Sequence, residues 1–151
     1  MIEIRRAALD DLMTYFHWAN DPVVRANSIN TKPIPLENHK MWFTARLNDR
    51  NTRFYICLKN GAAIGQVRLD LKEEYALINY SVDQKFRGQG LGTHILKLSM
   101  EEFRKERTNK GFIGKVQLSN RASSRVFEKL GFQEKEKEVI NGATYHVFYL
   151  T

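Results

Sequence analysis

DQKFRGQGLGTHILKLSM, residues 83–100, places three of the chain's nine glycines, Gly88, Gly90 and Gly92, at alternate positions ahead of a long apolar-patterned segment. Glycine loses more backbone entropy on folding than any other residue, so such a loop needs a shape or a close approach that a side chain forbids. From Gly92 to about Lys105 two apolar seams interleave, Leu91, Ile95, Leu98 and Leu96, Met100, Phe103. Both follow helical spacing and predict a helix with a broad buried stripe. The strand-like run YALINYSV (75–82) leads straight into the loop. A strand, a glycine-rich turn and a helix N-terminus form an anion site, because the first N–H groups lack intrahelical partners and the macrodipole favours negative charge. Arg87 adds a cation suited to phosphate. The Walker loop requires Lys-Ser/Thr directly after its last glycine, whereas Gly92 precedes Thr93-His94. The dinucleotide fingerprint Gly-x-Gly-x-x-Gly is also missed. On spacing alone the loop is either a phosphate cradle or a tight turn.

Working outward, IEIRRA (2–7) alternates as a first strand, and LMTYFHWAN (12–20) is a helix that proline ends near Asp21-Pro22. Pro33 and Pro35 precede a second helix carrying Met41, Trp42, Phe43, Ala45 and Leu47. RFYICLK, Asn60-Gly61 and AAIGQVRLDL read as a hairpin with a type I′ turn. After the glycine-loop helix, FIGKVQLS (112–119) is a strand. Asn120 is placed to cap the helix RASSRVFEKL, which ends at Gly131. FQEKEKEVI, Asn141-Gly142 and ATYHVFYL close a second hairpin. The order β-α-α-β-β-β-α-β-α-β-β gives an α/β (α+β) fold in one domain, residues 1–151: a mixed sheet with helices on its faces.

Composition bounds the function. At 151 residues the chain is long enough for a continuous core. No apolar run reaches membrane-spanning length, and the N-terminal stretch, with acids beside its bases, is not a secretory signal. One cysteine, Cys57, excludes an internal disulfide and suits a reducing cytoplasm; its place in a strand predicts a buried structural thiol. His17, His39, His94 and His146 lack metal-ligand spacing, so no metal is expected. A net charge of +7 favours an anionic partner. Five bases face one acid in RKERTNKGFIGK (104–115), which is either a solvated helix end or a binding patch. No recognition helix or interleaved aromatic-basic stripe points to nucleic acid.

Arg87-Gly88-Gln89-Gly90-Leu91-Gly92 resembles the Arg/Gln-x-x-Gly-x-Gly/Ala acetyl-CoA loop of the GCN5-related N-acetyltransferase superfamily. NRASSRVFEKLGF (120–132) is similar to that superfamily's second hallmark, an asparagine, a helix, then Glu-Lys-Leu-Gly-Phe. The resemblance covers nearly the whole chain and implies a mostly antiparallel sheet of about seven strands flanked by four helices. A splayed strand pair would hold acetyl-CoA. The diphosphate would lie on the loop amides, with Thr93 and Arg125 nearby. The pantetheine arm would pair with strand backbone at Tyr80, Ser81 and Val82. Asn120, Ser123 and Phe127 would approach it from the other side.

The chemistry the resemblance implies is direct attack of a neutral amine on the thioester, with an oxyanion donor at a backbone N–H near Val82. Many relatives carry a proton-donating tyrosine where this chain has Phe127. The substitutes are Tyr145, then Ser124, with Ser123, water or an unaided thiolate as further options. On the base side, Tyr80 or Ser81 would order a water beside Asn79, with His39 and Glu37 as alternatives.

The first third resembles acetyltransferases that modify 4-amino groups of nucleotide-linked amino-dideoxy sugars, as in pseudaminic acid biosynthesis. The shared residues include Trp18, Asn20, Asp21, Arg25, Ser28, His39, Trp42 and Phe43, then Ile64 to Arg68. Trp42, Phe43 and Tyr80 would hold a sugar or stack a base, and Arg25, Lys32 or Arg68 would bind phosphates. Phe16, Trp18 and Phe43 at helical spacing equally fit a core. Arg68, between apolar strand residues, needs either a substrate or an acid partner. The expected partner is therefore a small amino-sugar nucleotide rather than nucleic acid or membrane, with the protein a monomer or homodimer. A ribosomal-protein-type N-terminal acetyltransferase and a non-catalytic acyl-CoA sensor are the alternatives.

Overall fold

A computed structural model describes residues 1–107 and 110–151. Its strands are β1 (Ile2–Arg6), β2 (Thr52–Lys59), β3 (Ala62–Leu71), β4 (Tyr75–Val82), β5 (Gly111–Gln117), β6 (Gln133–Ile140) and β7 (Ala143–Leu150). The helices are α1 (Leu12–Ala19), α2 (Pro22–Ala26), α3 (Leu36–Leu47), α4 (Leu91–Arg104) and α5 (Arg121–Lys129). All seven strands join one sheet in the order β1-β2-β3-β4-β5-β7-β6. Only β4 and β5 run parallel; every other neighbouring pair is antiparallel. No helix among the described residues is long and apolar enough to cross a membrane.

The mixed sheet is the expected one, and both hairpins turn through Asn-Gly pairs at positive φ, Asn60 and Gly61, Asn141 and Gly142. Where four helices were expected, five form among the described residues. Pro22 does not merely stop α1; it occupies the first turn of α2, where its missing N–H costs nothing, and Asp21 caps that turn through the Val23 and Val24 amides.

Period-2 alternation sorts each central strand between two cores. Tyr55, Cys57, Val67, Leu69 and Ile78 face Ile95, Leu96 and Phe103 of α4 and Phe127 of α5. Phe54 and Ile56 turn the other way, against Tyr15, Trp18 and Phe43 of α1 and α3. Cys57 is fully buried, and burial pushes its thiol up to about 12, so it is inert at neutral pH.

The turn after β1 is locked by Asp11, which accepts two bonds from the Arg5 guanidinium, at 2.9 and 3.0 Å, and one from the Ala8 amide at 2.8 Å. The Arg5 hydrogen bonds hold the Asp11 carboxyl below its usual range despite burial. A lowered folded-state pKa means stability that is present above the ordinary carboxylate pKa and lost as pH falls through the folded value. Asp11→Asn should lower stability by about 1–3 kcal/mol at neutral pH. In urea melts at several pH values, the deficit should shrink towards acid; a pH-independent deficit would assign the loss to packing.

Candidate functional site

The β4–β5 ladder runs from Tyr75 opposite Gly111 to Ile78 opposite Gly114 and then stops. On its other side β4 stays paired with β3 through Val82. Asn79 to Val82 therefore have no β5 partner in that ladder, and the two strands part. At the last paired position, a Cβ on Gly114 would lie 2.4 Å from two ring atoms of Phe127, so the bare glycine admits the ring against β5. A cleft of about 800 Å³ passes through this gap and joins both faces of the sheet.

One side of the cleft belongs to α4 and α5. Gly88 and Gly90 have φ of +79° and +74°, and a Cβ at either would meet no atom within 4 Å. Both need glycine for left-handed backbone, and the space beside them is open to a ligand. This loop delivers the chain into α4, whose unpaired first amides face the same cleft through Leu91, Gly92 and Thr93. Asn120 caps α5 by accepting from the Ser123 amide, as expected. Arg125 and Lys129 line the same side, and Tyr80 crosses to it, its hydroxyl 2.9 Å from that of Ser123. The residues present fit a coenzyme A group: an amide-rich loop for a diphosphate, two cations, and a free strand edge for an amide-bearing arm.

On the opposite side lies a polar row. Register places Gln66, Arg68 and Asp70 of β3 beside Ser81, Asn79 and Leu77 of β4. The Gln66 amide donates to both Asn79 Oδ1 and Ser81 Oγ. Arg68 gives its Nε to Asp70 at 3.2 Å and lays its guanidinium over the Trp42 ring, 5.2 Å from the centroid. Burial pulls the Arg68 pKa down and Asp70 opposes it; the terminal nitrogens make no hydrogen bond to the described residues. Lys115 and Gln117 of β5 also line the cleft. Among the described residues, no Asp or Glu lines it, although Arg25, Arg68, Arg87, Lys115, Arg125 and Lys129 do.

Several expected site residues serve elsewhere. Arg25 meets the carbonyls of Ala19, Asn30 and Lys32 and the Ser28 hydroxyl, so its guanidinium clasps the segment after α2 instead of facing a phosphate. Arg87 bonds the Val82 carbonyl through Nε and Asp21 through Nη2 at 3.1 Å, so its guanidinium is engaged by the protein itself. Gln89 is exposed and outside the lining. His39, offered as an alternative base, is buried; it stacks on Phe43 and bonds the Leu12 carbonyl through Nε2. Burial lowers its pKa, which keeps the ring neutral.

The two favoured proton donors both fall outside the cleft. Tyr145 is buried behind Gln117, whose amide donates to its hydroxyl at 3.2 Å. Ser124 points into the core, and its hydroxyl finds no hydrogen-bond partner among the described residues. In the basic stretch 104–115, Thr108 and Asn109 lie outside the described residues. Arg104 covers Phe112, Lys105 pairs with Glu102, Lys110 meets the Lys72 and Glu73 carbonyls, and Lys115 pairs with Glu138. Those contacts favour the solvated helix end over a binding patch. Missed altogether were Asp70, two residues from Arg68 and so on the same strand face, and Lys115 and Gln117, whose alternation in KVQLS puts them opposite the core.

The family model described as acetyltransferase (GNAT) domain matches residues 2–133. An uncharacterized N-acetyltransferase of Methanocaldococcus jannaschii is 33% identical over 91 residues, 55% of this chain and 40% of that protein. The matched region thus spans about two fifths of that relative's length. Among solved structures, the spermidine N-acetyltransferase from Vibrio cholerae in complex with CoA and spermine superposes with a TM-score of 0.88 at 15% identity, covering 99% of this chain and 94% of that one. An aminoglycoside acetyltransferase in complex with coenzyme A and kanamycin gives 0.86 at 17% identity, covering 100% and 95%.

Proposed function

Because the chain belongs to the acetyltransferase (GNAT) domain family, we propose that it moves an acetyl group from acetyl-CoA to a primary amine on a molecule that also carries negative charge, an amino-sugar nucleotide. Acetyl-CoA supplies an acetyl thioester open to attack by a neutral amine. The amides of the loop and of the α4 N-terminus hold its diphosphate, and the unpaired edge of β4 receives its arm. The Val82 amide is the candidate donor to the oxygen on which charge develops. On the other face, Asn79 and Ser81, oriented by Gln66, accept from the incoming amine, and the Arg68 guanidinium takes a phosphate.

The observation that carries the substrate class is the acid-free lining of the cleft. Spermine and kanamycin, named with the superposed enzymes, are polycations at neutral pH; a polycation entering this cleft would meet cations and, among the described residues, no lining carboxylate, since Asp70, Asp21 and Glu138 stand outside the lining and are already paired with Arg68, Arg87 and Lys115. An anion meets the opposite situation, because Arg68 lines the cleft and its two terminal guanidinium nitrogens have no hydrogen-bond partner among the described residues.

The test is thiol release from acetyl-CoA with UDP- and dTDP-linked 4-amino-4,6-dideoxy sugars, basic N-terminal peptides, spermidine and kanamycin as acceptors. Turnover confined to the sugar nucleotides supports the proposal. Preference for a polycation or a peptide overturns the substrate class and leaves the cofactor reading intact. Coenzyme A binding without turnover on any acceptor identifies a sensor. Arg68→Ala should raise the sugar-nucleotide KM roughly 10- to 100-fold, the worth of one charge-assisted phosphate contact, with the acetyl-CoA KM unchanged. An equal loss for every acceptor would make Arg68 a structural partner of Asp70.

A further inference from the structure

We propose that Tyr80 is the proton donor of the transfer: its hydroxyl, held by Ser123, protonates the sulfur that leaves when the acetyl group passes to the amine. The inference rests on the acetyl-CoA reading above and adds a residue to it.

Three observations converge on this hydroxyl. First, Tyr80 lies two residues beyond the last paired position of β4, within the stretch where the strand has left β5. Second, alternation sends its side chain to the α4–α5 face, opposite Asn79 and Ser81, so the proton donor and the amine-facing row occupy different sides of the gap. Third, the side chain is fixed from several directions. Its hydroxyl meets Ser123 Oγ at 2.9 Å, its ring stands edge-on to Phe127 with centroids 5.9 Å apart, and a Cβ on Gly92 in the first turn of α4 would touch it at 3.4 Å.

Three other proton carriers that line the cleft are committed elsewhere. Tyr15 donates to the Tyr55 carbonyl under the far core, His39 is bonded to Leu12, and Lys115 pairs with Glu138. Phe127 has no proton to give. The charged groups lining the Tyr80 side are Arg125 and Lys129 of α5, both positive, so they and the α4 N-terminus favour the phenolate once the proton has gone. Before transfer, burial pushes the Tyr80 phenol above its usual range, partly opposed by the Ser123 bond, so it holds its proton at neutral pH.

The step balances. The amine nitrogen bonds to the acetyl carbon as the carbon–sulfur bond breaks, and the sulfur leaves with that electron pair and takes the Tyr80 proton. The amine sheds one proton to water, and the phenolate regains one from water by way of Ser123. In sum the amine's proton ends on the sulfur.

Tyr80→Phe should lower kcat 100-fold or more, the usual worth of a positioned general acid, with acetyl-CoA affinity changed less than threefold. A second readout needs no turnover: phenolate absorbance titrated with the protein bound to CoA and, separately, to desulfo-CoA. One tyrosine should titrate differently in the two complexes, and that difference should vanish in Tyr80→Phe. Should that variant fail to fold, Ser123→Ala serves, with the tyrosine titrating at higher pH and kcat partly lost. CoA binding with identical titrations in both complexes overturns the Tyr80 assignment alone. Failure of either ligand to bind overturns the acetyl-CoA reading and the assignment with it.

Discussion

Gly90→Glu should leave a folded protein that no longer binds coenzyme A. The residue sits at φ +74°, a conformation that costs an L-residue about 1–2 kcal/mol. A Cβ there meets nothing within 4 Å, so no clash adds to that strain. Binding suffers far more. A carboxylate about 4 Å from a phosphate, at an effective dielectric near 20, opposes it by roughly 4 kcal/mol, or about a thousandfold in Kd. The wild type should gain several degrees in Tm on saturation with CoA, and the variant should gain none. Gly90→Ala separates the causes, because it keeps the strain and omits the charge, and should bind with only a modest loss. A Gly90→Glu protein that bound CoA as tightly as the wild type would move the diphosphate away from this loop.

Gly114→Ala is expected to destabilise the fold by about 2–3 kcal/mol, although alanine is the smallest possible addition. Its methyl would overlap the Phe127 ring at 2.4 Å, and that ring cannot retreat easily. It is 2% exposed, stacks on Phe148 at 5.7 Å and meets Phe132 edge-on at 4.9 Å. Adding Phe127→Leu should return part of the loss, with a coupling of about 1–2 kcal/mol in a double-mutant cycle read from urea melts. Strict additivity would show that the ring and the glycine do not compete for the same space.

Features decided by local chemistry were legible in the sequence. The Asn-Gly hairpins, the two seams of α4, the Asn120 cap and the left-handed glycines each follow from a few adjacent residues. What escaped depended on distant partners. Tyr145 and Ser124 were offered as substitutes for the missing tyrosine, but which face each presents follows from the β5–β7 register and from the packing of α5. Arg25 looked like a phosphate ligand because its partners are backbone carbonyls, which leave no trace in residue identity. Pro22 was read as a stop, since a proline that ends one helix and opens another carries the same letter in both roles. The Arg68–Asp70 pair stood within reach: period-2 alternation alone sets the two side chains on one face.

Two contacts at the edge of the cleft have a thermodynamic meaning. Asp21, which starts α2, also holds Arg87 of the glycine loop, and Asp83 just before that loop accepts from the Trp18 indole at 2.8 Å. The wall of the acceptor half and the loop of the cofactor half are thereby braced to each other. Were a ligand in one half to displace either member of a braced pair, the other half would feel it. Linkage then requires reciprocity: the factor by which the first ligand tightens the second is the factor by which the second tightens the first. Synergy between the two ligands in equilibrium binding, weakened when Asp21 is replaced by alanine, is how such a brace would show itself.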